Sequence, residues 1–250
     1  MKCICDLLER ACRGEHITLN FVGDSITHGL NHCRPEETYI AKIAALLARH
    51  YPTCTVRRYD GEVENEGVPL RGFDGPILVS VGTEGGTVDV IRNGVGGNTA
   101  RRLIRRLDDF TGTMPNGRRA DATLIMVGIN DALACDPAKY VTPDVFLRDY
   151  KELLDLIRAQ DPDTALVLIS STYNGANDDI APYCENTESL AAEEGLPFVD
   201  MRSFWLAHYD PEAPHYGQGD WLSDVAGDAC HPSPLGAEIT ARRLLEDLLA

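Results

Sequence analysis

Apolar, β-branched residues gather along this chain into short runs separated by longer amphipathic stretches. Ile17-Thr18-Leu19-Asn20-Phe21-Val22 reads as a buried strand, and Ala122-Thr123-Leu124-Ile125-Met126-Val127, Ala165-Leu166-Val167-Leu168-Ile169 and Pro197-Phe198-Val199-Asp200 repeat the signal. Helical spacing of apolar positions recurs from Cys5 to Arg13, Thr38 to Arg49, Pro143 to Ala159, about Ile180 to Glu194 and about Pro234 to Leu249. The last of these carries Leu235, Ile239, Leu244 and Leu248 along one side. Strands alternating with helices predict an α/β fold with a parallel sheet covered on both faces.

The pattern changes between Cys54 and Asn93. Gly61, Gly67, Gly72, Gly75, Gly82, Gly85 and Gly86 punctuate short runs such as Ile77-Leu78-Val79-Ser80-Val81 and Thr87-Val88-Asp89-Val90-Ile91. This predicts a β-hairpin around the Thr83-Glu84-Gly85-Gly86 turn, within a β-rich insertion over 55–92. Covering a site and structural padding are both open to such an insertion.

With 250 residues, 44% of them apolar, and no internal repeat, the chain is expected to fill one domain over 1–250. Lys and Arg number 23 against 39 acids, for a net charge of -16, and so acidic a surface repels phosphate backbones and anionic membrane faces. The one contrary feature is Arg101, Arg102, Arg105 and Arg106. Their spacing reads as a solvated helix face, with Leu103, Ile104 and Leu107 turned inward. No signal-peptide core opens the chain and no run of about eighteen apolar residues occurs, which suggests a soluble, cytoplasmic protein without stable membrane association. Eight dispersed cysteines fit reduced thiols rather than a disulfide scaffold, and the lone Cys3-x-Cys5 pair is poor evidence for zinc.

Candidate chemistry lies in four short segments. Ser25, in Gly23-Asp24-Ser25, follows the first strand, at the carboxyl end where open α/β sheets keep their sites; a plain turn serine is the bland reading. Asp228-Ala229-Cys230-His231-Pro232 precedes the last helix. An acid three residues before a histidine can hold the Nδ1 proton and leave Nε2 to accept one, although a capping aspartate beside a surface histidine has the same spacing. Asn93-Gly94-Val95-Gly96-Gly97-Asn98-Thr99 can turn backbone N–H groups into a cleft at a helix start, or be only a helix-entry turn. A dinucleotide fingerprint would need glycine where Thr99 stands. In Val127-Gly128-Ile129-Asn130-Asp131, at another strand end, Asn130 can aim an amide at a developing oxyanion, though Asn and Asp are also ordinary turn formers.

Taken in order, Gly23-Asp24-Ser25, Gly97, Gly128-x-Asn130-Asp131 and Asp228-x-x-His231 resemble the blocks of the SGNH, or GDSL-type, lipase and acylhydrolase family. The resemblance runs from the first strand to the last helix. It implies a flavodoxin-like three-layer α/β/α sandwich with a mostly parallel, roughly five-stranded sheet. It also implies that Ser25 is the nucleophile, His231 the general base and then acid, and Asp228 the group that orients the imidazole. The backbone N–H groups of Ser25 and Gly97, with the Asn130 amide, would form the oxyanion hole, and Asp24 and Asp131 would organise the loops. Gly94 or Gly96 remains an alternative to Gly97. No metal or other cofactor is required, and activity is expected to fall on the acid side as the histidine protonates near about pH 6.5.

Three other readings compete. A metal hydrolase could use His28, His32 and Cys33, but Gly29 and Asn31 weaken the helix that spacing needs, and no Glu separates the histidines. An α/β-hydrolase would need G-x-S-x-G, which is missing. An inert binding protein of the same fold has nothing in its favour among the four segments. Trp205, His208, Tyr209, His215, Tyr216 and Trp221 could line a sugar-binding cleft or belong to the core. The expected substrate is a small-molecule acyl ester of the acetyl type, on a carbohydrate, ahead of lysophospholipids and thioesters. Oligomeric state is not legible.

Overall fold

The computed structural model describes residues 4–29, 33–62, 72–133, 136–172, 178–208, 221 and 230–250. Seven strands among them form one sheet: β1 (His16–Gly23), β2 (Thr55–Glu62), β3 (Gly72–Ser80), β4 (Thr87–Gly94), β5 (Ala122–Met126), β6 (Ala165–Ile169) and β7 (Phe198–Val199). Their spatial order is β3-β2-β4-β1-β5-β6-β7. Every pairing is parallel except β2 with β3. The helices are α1 (Ile4–Cys12), α2 (Ser25–His28), α3 (Tyr39–His50), α4 (Ala100–Arg105), α5 (Leu107–Phe110), α6 (Pro143–Gln160), α7 (Ala181–Glu194), α8 (Met201–His208) and α9 (Pro234–Leu249).

Helices α1, α3 and α9 pack together on one face of the sheet, and α4, α6 and α7 on the other. Phe21 of β1 meets Tyr39 of α3 edge-on at 6.5 Å, whereas Phe146 of α6 lies 5.4 Å from both Tyr150 and Tyr183 on the opposite side. These rings are buried in both layers, and each such side chain contributes about 1.5 to 3 kcal/mol by leaving water. The α/β class and the three layers match the sequence expectation. The sheet is wider than the roughly five strands expected.

The region 55–92 departs from its expected layout. An antiparallel hairpin is present, but it joins β2 to β3, with Glu62 opposite Gly72, and not the two strands flanking Thr83–Gly86. Strand β4 instead inserts between β2 and β1 as an interior strand of the frame. Burial explains the choice: Val88, Val90 and Ile91 are fully buried, so β4 needs neighbours on both edges, whereas Asp74, Gly75 and Pro76 of β3 are exposed. Proline, which has no N–H to donate, is suited to the edge strand that β3 forms. The arginine face also differs in part. Arg101 and Arg105 are exposed, but Arg106 is buried against Asp109 at 2.9 Å and Asn93 at 3.2 Å.

The register sets up the site. Gly23 of β1 stands beside Gly94 of β4 on one side and Met126 of β5 on the other. The loops leaving that single row carry Ser25, Gly97 and Asn130. The helix after β1 covers one face and those after β4 and β5 the other, so the chain diverges at this row, where open α/β sheets form their crevice.

Candidate active site

Ser25 is the first residue of the one-turn helix α2. Asp24 caps that helix, its Oδ1 accepting from the Ile26 N–H at 2.9 Å, and Gly29 closes it in the left-handed region at φ 75°. The turn fits only because β4 ends in glycine. A Cβ at Gly94 would stand 2.6 Å from the Thr27 carbonyl carbon and 2.8 Å from the Asp24 oxygen, so any side chain there would push the Ser25 turn outward. Ser25 itself is only 5% exposed.

His231 reaches this hydroxyl from the far end of the sequence. Its Nε2 lies 2.7 Å from Ser25 Oγ, although 206 positions separate the two. If Nε2 accepts the serine proton, Nδ1 carries the imidazole's own. That Nδ1 lies 3.5 Å from Cys230 Sγ, while Asp228, expected to orient it, lies outside the described residues. The loop is fastened on both sides. Ser233 caps α9 by accepting from the Gly236 N–H at 3.1 Å, and its own N–H donates to the Trp221 carbonyl at 2.8 Å. From the other side, the Cys33 thiol approaches the Pro232 carbonyl at 3.6 Å.

The second and third loops meet through Asn98, whose role could not be read from the sequence. Its side-chain amide donates to the Gly23 carbonyl at 2.8 Å, and its own carbonyl accepts from Asn130 Nδ2 at 2.9 Å. One buried residue therefore ties the strand before Ser25 to the Asn130 amide; its sequence signal was a loose fit to the polar residue that follows the glycine in the second segment of the family it resembles. Gly97 has φ 73°, a region glycine favours, and its carbonyl is held by Arg102 Nη1 at 2.8 Å. Among the described residues, the N–H groups of Ser25 and Gly97 meet no acceptor, whereas the Asn98 N–H is used by the Val95 carbonyl at 3.2 Å. Asp131 sits beneath this arrangement and receives the Ala100 N–H on both carboxylate oxygens, at 3.2 and 3.3 Å.

Burial dominates the electrostatics. It pushes Asp24 up to about 6 against the opposing Ile26 hydrogen bond, and Asp131 up to about 8, helped by the nearby charges of Asp24 and Asp149. Burial also governs the two described residues of the metal reading. Burial, with Arg92 nearby, pulls His28 down to about 4, and burial, aided by Glu37, lifts the Cys33 thiol to about 11; His32 lies outside the described residues. The aromatic segment divides similarly. Trp205 is fully buried, donates to Thr240 Oγ1 at 3.2 Å and meets Trp221 edge-on at 5.2 Å, which makes it a core residue. Tyr209, His215 and Tyr216 lie outside the described residues. The small cleft beside Ser25 and His231 is walled by Ile26, Cys33, Thr38, Tyr39, Pro232 and Ala237, with none of the described rings of that segment.

A model of the GDSL-like lipase/acylhydrolase family matches residues 71–239. That span includes Gly97, Asn130 and His231 and begins beyond Ser25, which joins them through the geometry above. No curated protein matches the chain. Among solved structures, an acetylxylan esterase from Geobacillus stearothermophilus, Axe2, is similar at 24% identity and a TM-score of 0.62, over 95% of this chain and 96% of that one. A putative GDSL-like lipase from Parabacteroides merdae aligns at 19% identity and a TM-score of 0.62, covering 94% and 96%. A two-domain esterase, CEX, active on acetylated mannans, aligns at 18% identity and 0.61, over 96% of this chain and 50% of that one. Among the described residues, no helix is long and apolar enough to cross a membrane.

Proposed function

Because the chain belongs to the GDSL-like lipase/acylhydrolase family, we propose that it is a serine esterase that removes short acyl groups, of the acetyl class, from carbohydrates through an acyl-enzyme on Ser25. The observation that carries this reading is the 2.7 Å contact between Ser25 Oγ and His231 Nε2. In the proposed reaction His231 takes the serine proton as Oγ attacks the ester carbonyl. The imidazolium then returns that proton to the departing sugar oxygen as the tetrahedral intermediate collapses. Water attacks the acyl-enzyme by the same route, again with His231 as base. Asp228 is assigned the orienting role. Negative charge developing on the carbonyl oxygen falls to the N–H groups of Ser25 and Gly97, which have no acceptor among the described residues, and to the Asn130 amide, whose second N–H is not used by Asn98.

Two observations favour a short acyl group. Among the described residues, the cleft beside Ser25 is lined closely by Ile26, Tyr39 and Pro232. Two of the similar structures are described as acting on acetylated polysaccharides, a substrate class extended to this chain as part of the proposal. The carbohydrate assignment does not rest on Trp205, which belongs to the core.

A fluorophosphonate probe followed by peptide mapping, combined with nitrophenyl esters from acetate to palmitate, tests both levels. Labelling at Ser25, lost in Ser25→Ala and His231→Ala, with best turnover on acetate, is expected. Labelling elsewhere would remove the nucleophile assignment. Best turnover on the long esters would keep the mechanism but move the substrate to the lysophospholipid or thioester class.

A further inference from the structure

At the amino-terminal end of the sheet, away from Ser25, two thiols are held face to face. Cys12 ends α1 and Cys54 immediately precedes β2, and their sulfurs lie 3.9 Å apart. Their backbones are tied to one glycine. The Gly86 N–H donates to the Ala11 carbonyl at 2.7 Å, while the Thr55 N–H donates to the Gly86 carbonyl at 2.9 Å. A second glycine closes over the buried thiol: a Cβ at Gly85 would stand 2.9 Å from Cys54 Sγ. The two partners differ in access, since Cys12 is exposed and Cys54 fully buried.

We propose that Cys12 and Cys54 form a modification site for thiol–disulfide exchange, in which glutathione disulfide oxidises the pair to an intramolecular disulfide. A bonded pair needs about 2.05 Å between sulfurs, so from 3.9 Å the two must approach by roughly 2 Å. Cys12 reacts first because it is open to solvent; burial and the neighbouring Cys12 hold the Cys54 thiol above its usual range. The Cys12 thiolate attacks one sulfur of glutathione disulfide, forming a mixed disulfide and releasing one glutathione thiolate, which takes up a proton. Cys54 then gives its proton to solvent and attacks the Cys12 sulfur, expelling the second glutathione. Two protein thiols are oxidised and one glutathione disulfide is reduced to two thiols. The product pins the end of α1 to the start of β2 across 42 positions, a segment that contains β1 and Ser25.

The test uses the full chain, incubated with glutathione disulfide, alkylated without reduction and mapped by peptide mass spectrometry. The expected result is the loss of two free thiols and a peptide pair joining Cys12 to Cys54. Cys12→Ser should abolish this product, and Cys54→Ala should stop the reaction at one glutathione on Cys12. Two other outcomes overturn the proposal: a persistent glutathione adduct on wild-type Cys12, or a bridge from Cys12 to Cys5. Because Cys12 is exposed, Cys12→Ser keeps the test interpretable even if replacing the buried Cys54 impairs folding. None of these readouts depends on esterase activity, so this proposal and the functional one fail separately.

Discussion

The two ends of the sheet each bury a polar cluster, and they treat their carboxylates in opposite ways. At the amino end, Asp89 of β4 is fully buried yet has partners on both carboxylate oxygens. It receives Arg57 Nε at 2.7 Å and Nη2 at 2.8 Å, Asn116 Nδ2 at 2.7 Å, and His16 Nε2 lies at 2.6 Å. Burial pushes this group up, but the hydrogen bonds from Arg57, Asn116 and His16 outweigh it and hold Asp89 below the usual carboxylate range. At the carboxyl end, Asp24 has the Ile26 N–H on one oxygen and no described partner on the other, and Asp131 shares one N–H between both. Both are raised. A cluster in which both carboxylate oxygens are held by donors is a fastening. One with valences left over, beside a serine and a histidine in contact, is equipped for chemistry and bears a stability cost for it.

The sharpest way to break this contrast is to remove the proposed reacting pair. Ser25→Ala and His231→Ala are each expected to lower kcat about 10⁴-fold or more on nitrophenyl acetate, with folding unchanged by circular dichroism. A variant retaining a tenth of the wild-type rate would relocate the chemistry. The mirror experiment is at the other end. Asp89→Ala strands Arg57 and should cost about 3 to 5 kcal/mol in urea unfolding, while kcat of the folded fraction stays within about twofold. A large fall in kcat at constant stability would show that the amino-end cluster is more than a fastening. Next in size is Asn130→Ala, expected under the proposed oxyanion role to lower kcat about 10²- to 10³-fold with KM little changed, because a donor of that kind acts mainly in the transition state. An equal rise in KM instead would assign Asn130 to ground-state binding.

How much of this was visible in the sequence depends on whether the cause was local. Strand β6 and helix α9 fall at the expected residues, since a bare apolar run and a Pro-opened helix with helically spaced leucines need no distant information. Strand β4 was given the wrong partner because Gly82, Gly85 and Gly86 mimic a hairpin turn, and its real neighbours, β2 and β1, lie about thirty and about seventy positions away, outside any local window. The site shows the same division. Ser25, Gly97, Asn130 and His231 were legible as short segments in a fixed order. Asn98 was not, because its function is defined by where the Gly23 carbonyl and the Asn130 amide arrive in space. Trp205 could not be assigned from its own neighbourhood either; the deciding contact is Thr240, thirty-five positions further on.

The smallest expected effect probes the raised carboxyl directly. Between the ordinary Asp value of 3.8 and the folded value of about 8, the unfolded chain has lost the Asp131 proton while the native protein keeps it. The native state therefore binds more protons, and stability must fall as pH rises through that interval. Two neighbours act mainly lower in the range: Asp24 is half titrated at about 6, and the stability that His28, held near 4 when folded, gains with rising pH levels off above its ordinary 6.5. From pH 6.5 to 8 Asp131 is thus the largest contributor among these three groups, worth about 1 to 2 kcal/mol over the window. Asp131→Asn keeps an oxygen for the Ala100 N–H but has no proton to lose. Its Tm should decline by a few degrees less than the wild type between pH 6.5 and 8, with the two curves converging at the lower end. Asp89 supplies the internal control, because its stabilisation is present above 3.8 and disappears only in stronger acid. Parallel curves for the two proteins across that window would mean that Asp131 is ionised in the native state, and that the carboxyl end is as fully satisfied as the amino end.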